Sequence, residues 1–391
     1  MTKIRLAALF LLTAMLPLAH AQTFKVLHVF DDENRAAEPQ GSVIRDAAGN
    51  IFGTTVNAGA VFKIGPKGKE SDFFYINGGD TGIFPTGSLT QDAAGNIYGV
   101  AEGGSGGAGV VYKLSPQAKE TILFAFQGGL NTTNPVEPAG GVLLGKNGDI
   151  FGAAQFGNKQ VCDIGCGSIF RLDAAGVMHF LHQFTGGVDG GYPVGPLVQD
   201  AAGNLYGVTE TGGDRTCPEF YFTAGTGCGI VFKIAKSGRF GVLHTFAGGA
   251  DGAIPQGGLL LDKNGNLFGT AIKGGIAENG TVYEISSDGT YTVLHRFTKP
   301  EGQNPNGGLV EDETGNLFGT TQLGGNHSLG TVFELNPQGS VRVLHHFQGL
   351  ADGASPLAGL FRDSAGHLYG TTVKNFLVNR VQGGGVFEVT P

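Results

Sequence analysis

An all-β fold, built from one short unit copied along the chain, is what this sequence predicts, and three observations carry the prediction. The phrase Gly-Asn-(Ile/Leu)-(Phe/Tyr)-Gly recurs seven times, ending at Gly53, Gly99, Gly152, Gly207, Gly269, Gly319 and Gly370, with Asp149 and His367 in the second place of two copies. A period of roughly fifty residues is the mark of a supersecondary unit stacked on itself. Glycine makes up 70 of the 391 residues, well above its usual ~7%, and it returns at fixed places in each copy rather than as low-complexity filler. No stretch after the first residues shows a helical apolar period.

The fifth copy is the clearest. Gly258 to Asp262 reads as a short apolar strand, Lys263 to Asn266 as a turn with glycine where φ is positive, and Leu267 to Thr270 as the returning strand. A Gly-rich loop over 273–280 leads to a third strand, Thr281 to Ile285, and Ser287-Asp288-Gly289 turns the chain into a fourth, Tyr291 to Phe297. All four are short, β-branched or aromatic, and bounded by turn signals. Four-stranded antiparallel units repeated about an axis are the blades of a β-propeller. An open solenoid needs distinct capping repeats, and none is visible.

The chain ends bear on closure. The mature sequence opens with a fourth-type strand, Phe24 to Phe30, and closes on a third-type strand, Gly385 to Val389. Pairing the two completes the last blade and removes two open edges. The expectation is therefore a single seven-bladed β-propeller of four-stranded antiparallel blades over 22–391, with repeats near 38–76, 84–126, 137–184, 192–246, 254–297, 304–347 and 355–389 plus 24–30.

These residues resemble the GloVer-type exported tandem-repeat proteins, the "choice-of-anchor" group, whose repeat runs Asp-x-x-Gly-Asn-Leu-Tyr-Gly-Thr-Thr, then Gly-Gly, then Gly-Thr-Val-Phe. The match spans essentially the whole mature chain and is cleanest at Asp312 to Thr321 and Gly330 to Phe333. The third repeat departs most, with Gly145 for the aspartate and Asp149 for the asparagine. The resemblance implies a propeller-like repeat and export, and no reaction. Members often carry a C-terminal anchoring tail; none follows Pro391 here, so surface attachment is not expected.

Residues 1–21 read as a secretory signal peptide: Lys3 and Arg5, the apolar run Leu6 to Leu18, and Ala19-His20-Ala21 before the cleavage point. The run is too short to span a bilayer, and no second one follows. A secreted or periplasmic protein is expected. Losing Lys3 and Arg5 takes the formal charge from −8 to −10. An acidic chain without a basic cluster is unsuited to nucleic acid or an anionic membrane.

Most of the repeated polar residues are expected to be structural. Histidines of the Leu-His-x-Phe phrase (His28, His182, His244, His295, His345) fall on the outermost strand of different repeats, so they read as polar side chains on exposed strands; metal ligands must meet within ~2 Å of one ion. Asp46, Asp92, Asp200, Asp262, Asp312 and Asp363 are expected to accept backbone N–H bonds in their turns. The prolines Pro39, Pro85, Pro138, Pro193, Pro255, Pro305 and Pro356 suit positions entering a sheet rather than within it.

What does not repeat points to function. Two loops on one face are enlarged, 155–167 with Cys162 and Cys166, and 211–229 with Cys217 and Cys228. Of three pairings, the two local bridges are expected, each stabilising by about 2–4 kcal/mol; a four-thiolate zinc site is the alternative. The larger loop carries Asp214, Arg215, Glu219, Phe220, Tyr221 and Phe222, a charged and aromatic contact surface. At the end of the second strand stand Glu102, Gln155, Glu210 and Gln322. If Glu102 and Glu210 converge across Gln155, they form an acid/base pair. Nucleophile elbows, zinc helices and phosphate loops are absent from the sequence. The expectation is a monomeric, non-catalytic binder of a protein or glycan without cofactor or metal. A carbohydrate- or ester-active hydrolase or lyase with Glu102 and Glu210 at the ring mouth is the alternative, and a purely structural envelope protein the third reading.

Overall fold

The computed structural model describes residues 22–30, 38–56, 59–76, 78, 82–103, 107–128, 136–157, 166–214, 217, 227–349, 352–373 and 383–391. The expected signal segment, 1–21, lies outside them. Among the described residues there is no α-helix; single 3-10 turns occur at Gly249–Asp251 and Ile276–Glu278. In repeat five the strands Ala253–Leu261, Leu267–Lys273, Thr281–Ile285 and Tyr291–Arg296 pair antiparallel in that order. Repeats one, four and six form the same four-stranded sheet, and those of two and three are joined by one parallel bridge between Gly141 and Ser88. Repeat seven supplies three strands, Phe361–Arg362, Leu368–Thr372 and Gly385–Thr390. Its fourth is Thr23–Val29, antiparallel to the last of these with Phe24 opposite Val389.

The recurring phrase has a physical reason at each place. Asp262 Oδ1 accepts the N–H groups of Asn264 and Asn266, and Oδ2 accepts the Asn266 amide, so one carboxylate ties the whole turn. Asp46, Asp92, Asp200, Asp312 and Asp363 bind their own turns likewise. Burial works against the charge of Asp92, Asp200, Asp312 and Asp363, yet the hydrogen bonds outweigh it and hold them below the usual carboxylate range. The closing glycine seats an aromatic ring from the third strand of its own repeat. A Cβ on Gly53 would stand 2.4 Å from the Phe62 ring, and one on Gly370 2.4 Å from that of Phe387.

Three kinds of contact recur between one sheet and the next, and all three occur together from repeat five to six, six to seven and seven to one. The outer-strand phenylalanine meets the third-strand ring of the following repeat: Phe126 on Phe170, Phe184 on Phe232, Phe246 on Tyr283, Phe297 on Phe333 and Phe347 on Phe387, at 5.0–5.5 Å. Phe30, on the strand borrowed from the N-terminus, meets Phe62 of repeat one at 4.9 Å. The glycine that begins a third strand lies against the next repeat's proline, as Gly280 does against Pro305 and Gly384 against Pro39. Threonine hydroxyls after the phrase donate to inner-strand carbonyls of the next repeat, Thr270 to Gly307, Thr320 to Ala358 and Thr371 to Gly41.

Two expectations are corrected. Pro39, Pro305 and Pro356 precede their first strands as expected, but Pro85, Pro138, Pro193 and Pro255 lie within theirs. Pro255 lies inside Ala253–Leu261 opposite Ala271, and Pro138 inside Val136–Leu144 opposite Ala154. This strand is the sheet's inner edge, where a missing N–H is tolerated. The histidines are not exposed: side chains of His182, His244, His295 and His345 are only 14–19% accessible. Each is hydrogen-bonded to an acid in the following connection, for example His244 to Asp251 at 3.1 Å. His182, His244 and His345 also stack face to face on Phe240, Tyr291 and Phe24. They clamp neighbouring sheets together.

Phenylalanine fills the third-strand position in five repeats, but Tyr112 and Tyr283 stand there in repeats two and five. Both hydroxyls are buried without a hydrogen-bond partner. A buried orphan hydroxyl costs about 1–3 kcal/mol. Tyr112→Phe and Tyr283→Phe are therefore expected to raise stability, each by about 1 kcal/mol or more, with no loss of folding. Urea unfolding midpoints check this; a fall in either would show that the hydroxyl has an acceptor.

Candidate functional site

The first strand begins, and the second ends, at the same end of every sheet. Register places Phe84 opposite Glu102, and the neighbours of paired residues place Glu137 beside Gln155, Tyr192 beside Glu210 and Ile254 beside Ile272. Gln322 donates its N–H to the Asn304 carbonyl, Val56 to Glu38 and Val373 to Ser355. These cross-strand pairs form a rim on the face that carries the enlarged loops. The rim is acidic and amide-rich at Glu38, Glu102, Glu137, Gln155, Glu210, Asn304 and Gln322.

The residues before the prolines were not singled out from sequence, and their backbone explains why they matter. Glu38, Glu137, Tyr192, Ile254, Asn304 and Ser355 all have φ between 53° and 60°. A side chain in this left-handed region is strained, and a following proline ordinarily drives the residue toward extended conformations. The conformation is held by a stitch to the preceding repeat: Tyr192 N–H to the Cys166 carbonyl, Ile254 to Cys228, Asn304 to Asn279 and Ser355 to Leu329, each 2.9 Å. The sequence signal was the dipeptide x-Pro at one place in every repeat, with x varying freely.

Cys217 and Cys228 form the expected disulfide, with Cα atoms 5.5 Å apart. Cys228 is fully buried and packs with Phe246, Ala253 and Ile254, so the bridge roots the loop in the core between repeats four and five rather than lying within it. Cys166 is also disulfide-bonded; its expected partner Cys162 lies outside the described residues. Arg215, Glu219, Phe220, Tyr221 and Phe222 lie outside them as well. Among the described residues no group of three or more His, Cys, Asp or Glu side chains gathers as a metal site.

Glu102 and Glu210 have separate surroundings. Burial raises Glu102, and the charge of Glu137 adds to it. Burial pushes Glu210 up to about 7, against the pull of Gln256, whose amide donates to Oε1 at 2.6 Å. Glu102 thus shares its field with Glu137 of the next repeat, and Glu210 is held by a carboxamide. Glu137 and Gln256 complete the arrangement and were missed because each partner lies about a repeat away in sequence, beyond any local pattern.

The raised pKa of Glu210 has a consequence for stability. An unfolded glutamate ionises near ~4.3. Between that value and about 7 the folded protein keeps a proton that the unfolded chain has lost, so stability falls as pH rises through this window. Glu210→Gln removes the effect. The variant is expected to match the wild type near pH 4 and to melt at higher temperature at pH 8; melting curves across this range check it. Equal curves at pH 8 would place the carboxylate in solvent.

Large apolar side chains are exposed at this end of the sheets, Ile83 at 46% and Phe84 at 41% in repeat two, Ile276 at 54% in repeat five and Leu323 in repeat six. Exposed apolar groups thus stand among the carboxylates and amides in repeats two, five and six.

The family model of the Gloeobacter/Verrucomicrobia repeat matches residues 14–221 and 219–391. No curated protein matches the sequence. Among solved structures, a streptogramin B lyase superposes with a TM-score of 0.63 at 15% identity, covering 94% of this chain and 97% of that one. Catalytically inactive virginiamycin B lyase from Staphylococcus aureus, in complex with quinupristin, gives 0.62 at 16% identity, over 94% and 100%. The extracellular domain of a putative hybrid two-component system from B. thetaiotaomicron gives 0.57 at 14% identity, over 94% of this chain and 41% of that one. At such identities the likeness speaks for a propeller-like fold alone.

Proposed function

This chain belongs to the Gloeobacter/Verrucomicrobia repeat family, and from that premise we propose that it is an exported, non-catalytic, seven-bladed propeller that captures a protein or glycan partner on the loop-bearing face. Support for a closed ring comes from the seam between repeats seven and one, where Phe30 on Phe62, Gly384 on Pro39 and Thr371 to Gly41 repeat the contacts made between repeats five and six and between six and seven. A disulfide is compatible with export through the segment 1–21. Among the described residues no helix is long and apolar enough to cross a membrane.

The observation that carries the binding reading is the rim itself: acids and amides at Glu38, Glu102, Glu137, Gln155, Glu210 and Gln322 beside exposed Phe84 and Ile276. Carboxylates and carboxamides accept and donate to hydroxyls, and apolar rings cover sugar or side-chain faces. Arg215, Glu219, Phe220 and Tyr221, carried in sequence by the enlarged loop, are proposed to take part in the same binding. Because Cys228 is a core residue, the informative deletion replaces residues 218–226 by a short Gly-Ser linker and keeps the Cys217–Cys228 bridge. Capture of glycans or envelope proteins by the immobilised mature protein is expected to fall at least tenfold in this variant, while melting temperature is retained. Unchanged capture would refute the assignment.

The alternative, hydrolase or lyase chemistry on a carbohydrate or ester, is favoured by one feature. A half-buried carboxyl at about 7 is poised as a general acid near neutrality. Turnover of glycan or ester substrates that disappears in Glu210→Gln would establish it; capture that survives this substitution without turnover supports the binder.

A further inference from the structure

At the opposite end of the sheets, about 20 Å from the rim along the seven-residue strand Ile150–Phe156, a groove of ≈ 490 Å³ opens between repeats three and four. We propose that this groove binds a small organic anion, a carboxylate on an apolar body. Its walls include the buried side chains of Phe151, Leu205 and Ile234, and Lys146, Arg171 and Lys236 line it as well. Three cations at one groove stand out on a chain of net charge −8.

The groove exists because repeat three departs from its siblings there. The corresponding groove between repeats seven and one holds ≈ 190 Å³. In that one Asp363 accepts from Arg45 at 2.9 Å and from the Tyr369 hydroxyl at 3.1 Å, closing the space with a neutralised pair. Repeat three has Gly145 in the place of Asp363, Phe151 in the place of Tyr369 and Arg171 in the place of Glu388, and repeat four has Gln199 in the place of Arg45. The Phe151 ring leans toward Gly145, where a Cβ would stand 2.8 Å from it.

Arg171 is consequently left short of a carboxylate. Asp149 is 3.8 Å from its Nη1, too far for a hydrogen bond, and its Nε is buried without an acceptor. Asp200, the other acid of the groove, is spent on Asn204 and Tyr206. An incoming carboxylate would give the guanidinium a hydrogen-bonded partner, and its apolar body would lie over Phe151 and Leu205. The volume lies within the ~300–1,000 Å³ usual for small-molecule sites.

The test is titration of the full mature protein with benzoate, its neutral isostere benzamide, and inorganic phosphate at constant ionic strength, read by calorimetry and by melting temperature. Saturable binding of benzoate is expected, weakened at least about tenfold in Arg171→Gln. It is also expected to be lost in the double variant Gly145→Asp/Asp149→Asn, which restores the pair present in five other repeats. That variant guards against misfolding as the cause, since its siblings fold with the same residues. No saturable benzoate binding, equal binding of benzamide, or an unchanged dissociation constant in Arg171→Gln would overturn the proposal. Phosphate binding as tightly as benzoate would overturn the apolar half of it.

Discussion

Gly140→Ala and Gly195→Ala are each expected to destabilise the protein by about 2–5 kcal/mol, the sum of a left-handed residue's strain and overpacking against backbone. The inner strands of successive repeats approach one another at glycine. A Cβ on Gly140 would lie 2.3 Å from the Gly195 backbone, one on Gly195 2.4 Å from Gly258, and one on Gly41 2.2 Å from the Gly87 carbonyl. Backbone cannot step aside as a flexible side chain can. Gly140 and Gly195 also have φ of 77° and 70°. Gly238 separates the two causes: its φ is 87°, but nothing lies within 4 Å of the added carbon. Gly238→Ala is expected to cost only the conformational part, about 1–2 kcal/mol. Denaturant midpoints for the three variants check the difference; equal losses would show that the inner strands are not in contact.

Phe30→Ala and Phe297→Ala are expected to cost the same, about 3–5 kcal/mol each, as a buried phenylalanine does when truncated. Phe297 lies within the chain, between repeats five and six, and is fully buried. Phe30 comes from the far end of the sequence, yet it is 3% exposed, its N–H donates to the Gly384 carbonyl at 2.9 Å, and it packs on Phe62. The N-terminal strand further contributes Phe24, stacked on His345 at 3.6 Å, and His28, paired with Glu70 of repeat one at 3.1 Å. Equal costs would mean that the ring is closed through this strand. A loss below about 1 kcal/mol for Phe30→Ala, the scale of an ordinary surface change, would mean that the strand is a loosely attached end.

The parts of this architecture that are local in sequence were legible there. Turn aspartates, positive-φ glycines and short β-branched or aromatic runs each act within five or six positions. The second, third and fourth strands of repeat five fall where their pattern puts them, while the first begins at Ala253, five residues before the expected Gly258. The last sheet's missing strand was also readable, because an unpaired outer strand at Phe24 has one obvious place to go. What could not be read is whatever repeats touch across about one period. The histidines looked exposed because an outer strand ordinarily is, whereas their shielding comes from rings such as Phe240 and Tyr291 in the next repeat. The candidate carboxylates were paired by repeat position, Glu102 with Glu210, but the field at Glu102 comes from Glu137. Glu137 was passed over as the neighbour of a structural proline. Cys228 likewise counted as a loop residue until its burial placed it in the core.

The claim that the loop-bearing rim is the working face is tested most directly by amide hydrogen exchange. The chain over residues 22–391 is compared free and saturated with whichever glycan or envelope protein it captures when immobilised. Slowed exchange confined to the rim and its loops, around residues 38, 102, 137, 192, 210 and 254, is the predicted result. Protection at the far turns, or along the outer strands, with the rim unchanged would contradict it.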